Sequence, residues 1–282
     1  MAASVRATIG VFDSGAGGLT VLRQLLRLLP EASYLYFGDT ARLPYGSKSA
    51  ETVKRYAAGA ARFLQDHGAG RIVVACNTAS ALALPEISDS VRIPVNGVIE
   101  SGADSAAKIS VTRNIAVIAT EATVASHAYR IALEARGLKA REMACPLLVP
   151  LVEEGWLDHP VTEQVARIYL DRLFQGVISQ DSTDVRVLGC THYPLLKPLL
   201  ARLTPVGVHI VDSAESVAAA VQQQIESEIP LPVTAITPAV PDLSGVRFFV
   251  SDSAEKFRAL GERLLGAAMA HVEHVDIDSC TG

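Results

Sequence analysis

The chain has 282 residues, room for two domains at roughly 150 residues each, and its 49% apolar and 20% charged content is that of a folded globular protein, not a disordered one. Its 25 Lys and Arg against 30 Asp and Glu leave a formal charge of −5, and no basic block exists to neutralise phosphates, so nucleic-acid binding is not expected as its task. The four cysteines, Cys76, Cys145, Cys190 and Cys280, lie at least 45 residues apart, which excludes a CxxC zinc or redox motif and a dense disulfide framework.

In chain order, the first strand is predicted at Thr8–Phe12, ending in Asp13-Ser14-Gly15. Leu19, Leu22, Leu25, Leu26 and Leu29 then follow a helical period that stops at Pro30. A strand at Ser33–Gly38 runs into Asp39-Thr40, and a helix follows at Glu51–Gln65. Strands at Arg71–Ala75 and Val95–Val98 come next, the first leading into Cys76-Asn77-Thr78. The second half repeats the rhythm: a strand at Ile115–Ala119 before Thr120-Glu121, a helix at Pro160–Gln175, and a strand at Val185–Leu188 before Gly189-Cys190-Thr191-His192. Strands at Val208–Val211, before Asp212-Ser213, and Val246–Val250, a Pro- and Gly-containing surface loop at Pro238–Gly245, and a helix at Ala254–Ala270 complete the pattern. Apolar strands joined by helical crossovers predict an α/β fold of parallel sheets covered on both faces. Neither a signal peptide nor an apolar run of about 18 residues is visible, so a cytoplasmic, membrane-free protein is expected.

The strand ends are polar, and in open parallel sheets ligands bind at the carboxyl ends of strands. The same Ser, Thr and Asp residues also serve as helix N-caps, which is the simpler account of any single turn. Capping explains little about Cys76 and Cys190. A weak internal repeat sets these two apart: Ile9–Ser14 resembles Ile115–Thr120, and Val73–Ala79 resembles Val187–Tyr193, at offsets of 106 and 114 residues. A duplicated half-chain folded about a pseudo-two-fold axis would bring both thiols to one cleft. Amides at a following helix N-terminus would lower each thiol toward neutrality, giving an acid–base pair. Asp13, Glu153 and His192 are the neighbouring ionisable groups, each with a plain structural alternative as cap, surface charge or packed ring. The glycine-rich run after Asp13 lacks both the Walker lysine and the GxGxxG spacing, so it suits a small anion better than a nucleotide.

Five motifs in order resemble the glutamate racemase family. They are Phe12 to Gly18 (FDSGAGG), Gly38 to Thr40 (GDT) with Pro44 to Gly46 (PYG), Ala75 to Ala79 (ACNTA), Val149 to Gly155 (VPLVEEG) and Leu188 to Pro194 (LGCTHYP). The resemblance implies two similar doubly wound parallel-sheet domains, residues 1–98 plus 213–282 and residues 99–212, with the active site in the cleft between them. It implies a cofactor-independent enzyme, binding no metal, that interconverts L- and D-glutamate and supplies D-glutamate for peptidoglycan. Cys76 and Cys190 would be the two acid/bases, Asp13 assisting the first, Glu153 and His192 the second. Asp13, Ser14, Tyr45, Gly46, Asn77, Thr78, Thr120, Thr123, Thr191 and His192 would contact substrate. Activation by a cell-wall precursor and assembly into a homodimer stay open. One departure is Ala122, where the family usually carries Gly, which predicts a stiffer Thr120–Thr123 loop. Three rivals remain: an aspartate or hydantoin racemase of the same superfamily, a hydrolase with Cys190 as nucleophile and His192 as base, and a two-lobed binding protein for small acidic ligands.

Overall fold

Short β-branched and aromatic runs alternate with leucine- and alanine-rich helical segments, and this alternation builds two parallel sheets. The computed structural model describes residues 7–174, 183–228 and 241–277. The first half begins with β1 (Thr8–Asp13), α1 (Leu19–Leu28), β2 (Ser33–Gly38), α2 (Ala50–Asp66) and β3 (Arg71–Val74). It continues with α3 (Asn77–Asp89), β4 (Val95–Gly97) and α4 (Val98–Ile109). The second half holds β5 (Asn114–Ala119), α5 (Glu121–Ala125), α6 (Ala128–Glu134), β6 (Lys139–Ala144) and α7 (Leu148–Glu153). Then come α8 (Pro160–Phe174), β7 (Val185–Gly189), α9 (Lys197–Arg202) and β8 (His209–Asp212). The last elements are α10 (Ser213–Glu228), β9 (Val246–Val250), α11 (Ala254–Leu265) and β10 (Val272–His274).

One sheet has the order β10-β9-β2-β1-β3-β4 and the other β6-β5-β7-β8, every pairing parallel. The segment β2-β1-β3-β4 and the whole of β6-β5-β7-β8 are wound identically. β1 therefore corresponds to β5 and β3 to β7, the correspondence that the internal repeat anticipates. In each sheet the winding reverses between two adjacent strands, β1 and β3 in one and β5 and β7 in the other. This is the switch point where such sheets leave a crevice.

Apolar periodicity explains the layers. In α1, Leu19, Leu22, Leu25 and Leu26 are buried while Arg23 and Arg27 point to solvent. The helix gives out before Pro30, whose ring and missing N–H forbid another turn. α1 packs with α10 and α11 over one face of the larger sheet, and α2 and α3 cover the other. α4 and α6 cover one face of the smaller sheet; α7, α8 and α9 cover its opposite face. Among the described residues, no helix is long and apolar enough to cross a membrane.

Two strands, one helix end and several helices, α3 and α10 among them, depart from expectation. β6 and β10 are both sheet-edge strands, and the Lys139, Arg141 and Glu142 of β6 mask any apolar run. The helix expected at Ala254–Ala270 stops at Leu265, because Gly266 takes a left-handed conformation (φ 68°) and its amide closes on the Glu262 carbonyl. Of the expected surface loop, residues 241–245 form exposed turns that lead into β9, while 238–240 lie outside the described residues, as do Gln175 and Cys280.

Candidate active site

The two switch points bring four loops together. β1 ends at Asp13, which is fully buried; its Oδ2 accepts from the Gly15 amide at 2.9 Å, and its Oδ1 has no partner among the described residues. Burial pushes this carboxyl up, against the opposing pull of His192, the Gly18 and Gly15 amides, and Thr191. The glycines that follow permit close approach. A Cβ on Gly18 would sit 2.5 Å from that of Asp13, and one on Gly17 would sit 2.4 Å from Thr191 Oγ1 and 2.7 Å from the His192 ring.

Cys76 follows β3 and caps α3, its Sγ accepting from the Ala79 amide at 3.5 Å and lying 3.6 Å from Ser14 Oγ. The helix terminus does not win here. Burial, reinforced by the Asp13 carboxylate, pushes the Cys76 thiol up to about 12, although the Ala79 amide and Ser14 pull it down. The expected lowering toward neutrality is thus reversed for Cys76: a thiol 5% exposed pays more to ionise than one capping amide returns. The α3 amides of Asn77 and Thr78 have no intrahelical acceptor and remain available at the cavity.

Cys190 follows β7 at the equivalent position. Its Sγ lies 3.8 Å from His192 Nδ1, and His192 Nε2 lies 3.2 Å from Glu153 Oε1 at the end of α7. Burial opposes a charge on His192 most strongly, but Cys190, Glu153 and Asp13 together outweigh it and raise the imidazole to about 10. The ring stands beside the Cys190 sulfur, placed to stabilise negative charge on it.

Both cysteines line one cavity of about 140 Å³, together with Ser14, Tyr45, Gly46, Asn77, Thr78, Thr120, Glu153, Thr191 and His192. That is below the roughly 300–1,000 Å³ of a drug-sized pocket and suits a small metabolite. Asp13 and Thr123 do not line it. Asp13 stands behind Ser14 and Gly15, and Thr123 is fully buried, with its Oγ1 2.9 Å from that of Thr120 and 3.4 Å from that of Thr78. The Tyr45 hydroxyl is committed to Asp39 Oδ2 at 2.6 Å, leaving the rest of Tyr45 to face the cavity. The Thr120–Thr123 turn is helical, with Thr120 capping α5, so Ala122 needs no glycine-like backbone. Leu43, Pro146, Val149 and Pro150 add an apolar rim that is not among the expected contacts, although Val149 and Pro150 open the VPLVEEG motif. A larger hollow of about 760 Å³ between α1, α9 and α10 holds neither thiol, and its Lys197 is paired with Glu215 at 2.8 Å. The chemistry belongs to the smaller cavity.

Two parallel sheets of matching winding, with a cysteine beyond the same strand of each, bring two thiols to one small polar cavity. The model of the Asp/Glu/Hydantoin racemase family matches residues 9–223, and the chain belongs to that family. It is 55% identical to a glutamate racemase of Koribacter versatilis, over 96% of this chain and 98% of the relative. The crystal structure of the Francisella tularensis glutamate racemase in complex with D-glutamate superposes with a TM-score of 0.84 at 35% identity, over 97% of this chain and 99% of that one. The Escherichia coli glutamate racemase, solved with L-glutamate and the activator UDP-MurNAc-Ala, matches with a TM-score of 0.73 at 26% identity, over 96% and 98%.

Proposed function

We propose that this chain is a glutamate racemase, a cofactor-independent isomerase that exchanges the α-proton of glutamate between Cys76 and Cys190. The observation that carries the reading is the equivalence of the two thiols: each follows the same strand of its sheet, and both open on one small polar cavity. The names of its close relatives support glutamate as the substrate.

In the proposed reaction, substrate binds with its α-carbon between the sulfurs. One cysteine, as thiolate, removes the α-proton; the other, as thiol, returns a proton to the opposite face. The net result is inverted configuration and an exchange of protonation state between the two sulfurs. Cys76, held high by burial and Asp13, begins as the acid. Cys190, with its sulfur 3.8 Å from His192 Nδ1, is the partner acid/base on the other side. Turnover leaves the enzyme set for the reverse direction. Asp13 serves Cys76, and Glu153 acts on Cys190 through His192. The free amides of Asn77 and Thr78, with the hydroxyls of Ser14, Thr78, Thr120 and Thr191, hold the carboxylate and the negative charge that develops at the α-carbon. Tyr45 and Gly46 close the wall facing Thr120, where a Cβ on Gly46 would lie 3.0 Å from that of Thr120. Thr123 orients Thr120. Among the described residues no lysine lines the cavity, so a Schiff-base cofactor would find no anchor there.

The two lobes are residues 1–98 plus 213–282 and residues 99–212, and their closure excludes water from the carbanion. The enzyme works in the cytoplasm, feeding D-glutamate to peptidoglycan synthesis. The test is circular-dichroism racemisation of L-glutamate, with L-aspartate as competitor, run with and without a UDP-linked cell-wall precursor. Cys76→Ser and Cys190→Ser should each lose activity by roughly 10²–10⁴-fold, the usual worth of a general acid or base. Deuterium wash-in from heavy water should fall in both. Full racemisation by either variant rules out the two-base scheme; faster aspartate turnover makes the enzyme an aspartate racemase.

A further inference from the structure

One side chain outside the cavity touches the neighbours of both cysteines. Asn77 follows Cys76 as the first residue of α3, and Gly189 precedes Cys190 as the last residue of β7. Tyr129, on α6, reaches both. Its hydroxyl donates to Asn77 Oδ1 at 2.7 Å, a short bond between wholly buried partners from opposite halves of the molecule. Its ring lies in the space left by two glycines: a Cβ on Gly189 would fall 2.8 Å from Tyr129 Cε2, and one on Gly102 of α4 would fall 3.2 Å from Cε1. The other end of the Asn77 amide is also held, with Nδ2 3.4 Å from Ser213 Oγ at the start of α10. Burial, aided by the charges of Cys190 and Asp212, pushes the Tyr129 hydroxyl far above its usual range, so it stays a neutral donor. The bond holds the amide in place, and Asn77 faces the cavity while Tyr129 does not.

We propose that Tyr129 is a positioning residue for this reaction: by clamping Asn77 and packing on Gly189 it sets the substrate-facing amide and ties the two cysteine-bearing turns together across the cleft. The proposal rests on the glutamate racemase reading. It separates the roles of ring and hydroxyl. The ring supports the fold at Gly189, whereas the hydroxyl meets the Asn77 amide and Ser213, so its loss should show chiefly in substrate affinity, with a loss of stability that leaves the protein folded.

Tyr129→Phe keeps the ring and removes the bond. A freed amide should raise KM for both enantiomers about tenfold, with kcat changing less than about threefold, the signature of lost ground-state binding. Calorimetric titration with D-glutamate of the parent, Tyr129→Phe, Asn77→Ala and the double variant closes the argument. The double variant should bind no more weakly than Asn77→Ala alone, because residues acting through one another are not additive. Parent-like KM and affinity in Tyr129→Phe, or additive losses in the double variant, would overturn the proposal. Loss of the fold in Tyr129→Phe would also overturn it, by assigning the hydroxyl to stability. A parent that turns over no glutamate sinks the racemase reading and this inference with it; a parent that racemises while Tyr129→Phe matches it sinks the inference alone.

Discussion

His192 carries the most consequential charge at the level of single residues. Its imidazole is 8% exposed, and an isolated ring at such a site would be neutral. Cys190 on one nitrogen and Glu153 on the other reverse that, lifting it to about 10 from an ordinary 6.5. The sign follows directly. A group raised on folding contributes stability in full below its unfolded value, near 6.5, and loses it as pH climbs through about 10. In Glu153→Gln the imidazole loses a charged partner, so its titration must move down. The alkaline limb of a kcat/KM profile measured from neutral pH upward should move to lower pH, with the acid limb less affected. An alkaline limb that stays where it was would show that Glu153 does not hold the histidine charge. Cys76 marks the limit of what sequence could tell at this scale. Its place just past a strand is legible in Ala75-Cys76-Asn77-Thr78, but the burial and the Asp13 carboxylate that dominate its titration come from the packing of β1 against β3. Tyr129 left no local signal, because its importance lies in two residues distant in the chain.

Among the elements, those that were legible have one strong pattern each. β1, β2, β3, β5, β7 and β9 are buried strands with apolar runs, and α1 and α2 have clear apolar faces. α3 was hidden by its polar first turn and by Pro85 inside it, and α10 by alanines and glutamines that show no stripe. β6 escapes because Lys139, Arg141 and Glu142 break any apolar run, and β10 because it is only three residues long. The turn between β1 and α1 reads as a glycine loop for an anion, and the structure adds a stricter requirement. Gly17 lies against Thr191 and His192 of the opposite half with no room for a methyl group. Gly17→Ala must push those two side chains, or the turn itself, out of place. Misplacement of about 1 Å in a catalytic constellation can cost roughly a hundredfold in rate. A loss of about that size in kcat/KM is expected, with a melting temperature within a few degrees of the parent. Parent-like kinetics would show that the loop is compliant and that its close approach has no catalytic weight.

For the whole molecule, the question is how two separately wound sheets act as one site for an anion on a protein whose own net charge is −5. Net charge does not decide it; the donors at the two switch points do. The halves meet through short polar bonds: Thr20 Oγ1 to the Thr191 carbonyl at 3.0 Å, Thr78 Oγ1 with Thr120 Oγ1 at 3.0 Å, and Tyr129 to Asn77. Behind the cleft, α10 packs against α1 on one side and α4 on the other. Arg71 secures it to the larger sheet, reaching Gln224 at 2.7 Å and Glu228 at 2.6 Å. The arrangement is a packed back and a front where hydroxyls and amides cross between the halves, and bound glutamate would add further front contacts. At about a hundred times its Kd, a ligand held by the folded state alone adds roughly 2.7 kcal/mol to stability. Hydrogen exchange can show where that gain falls. With D-glutamate bound, amides at residues 77–80 and 190–193 should both slow, because one ligand would bridge them, while the solvent face of α8 should be unchanged. Slowing confined to one of the two turns would mean that the ligand sits on a single sheet, and a mechanism needing a sulfur on each side of the α-carbon would fail with it.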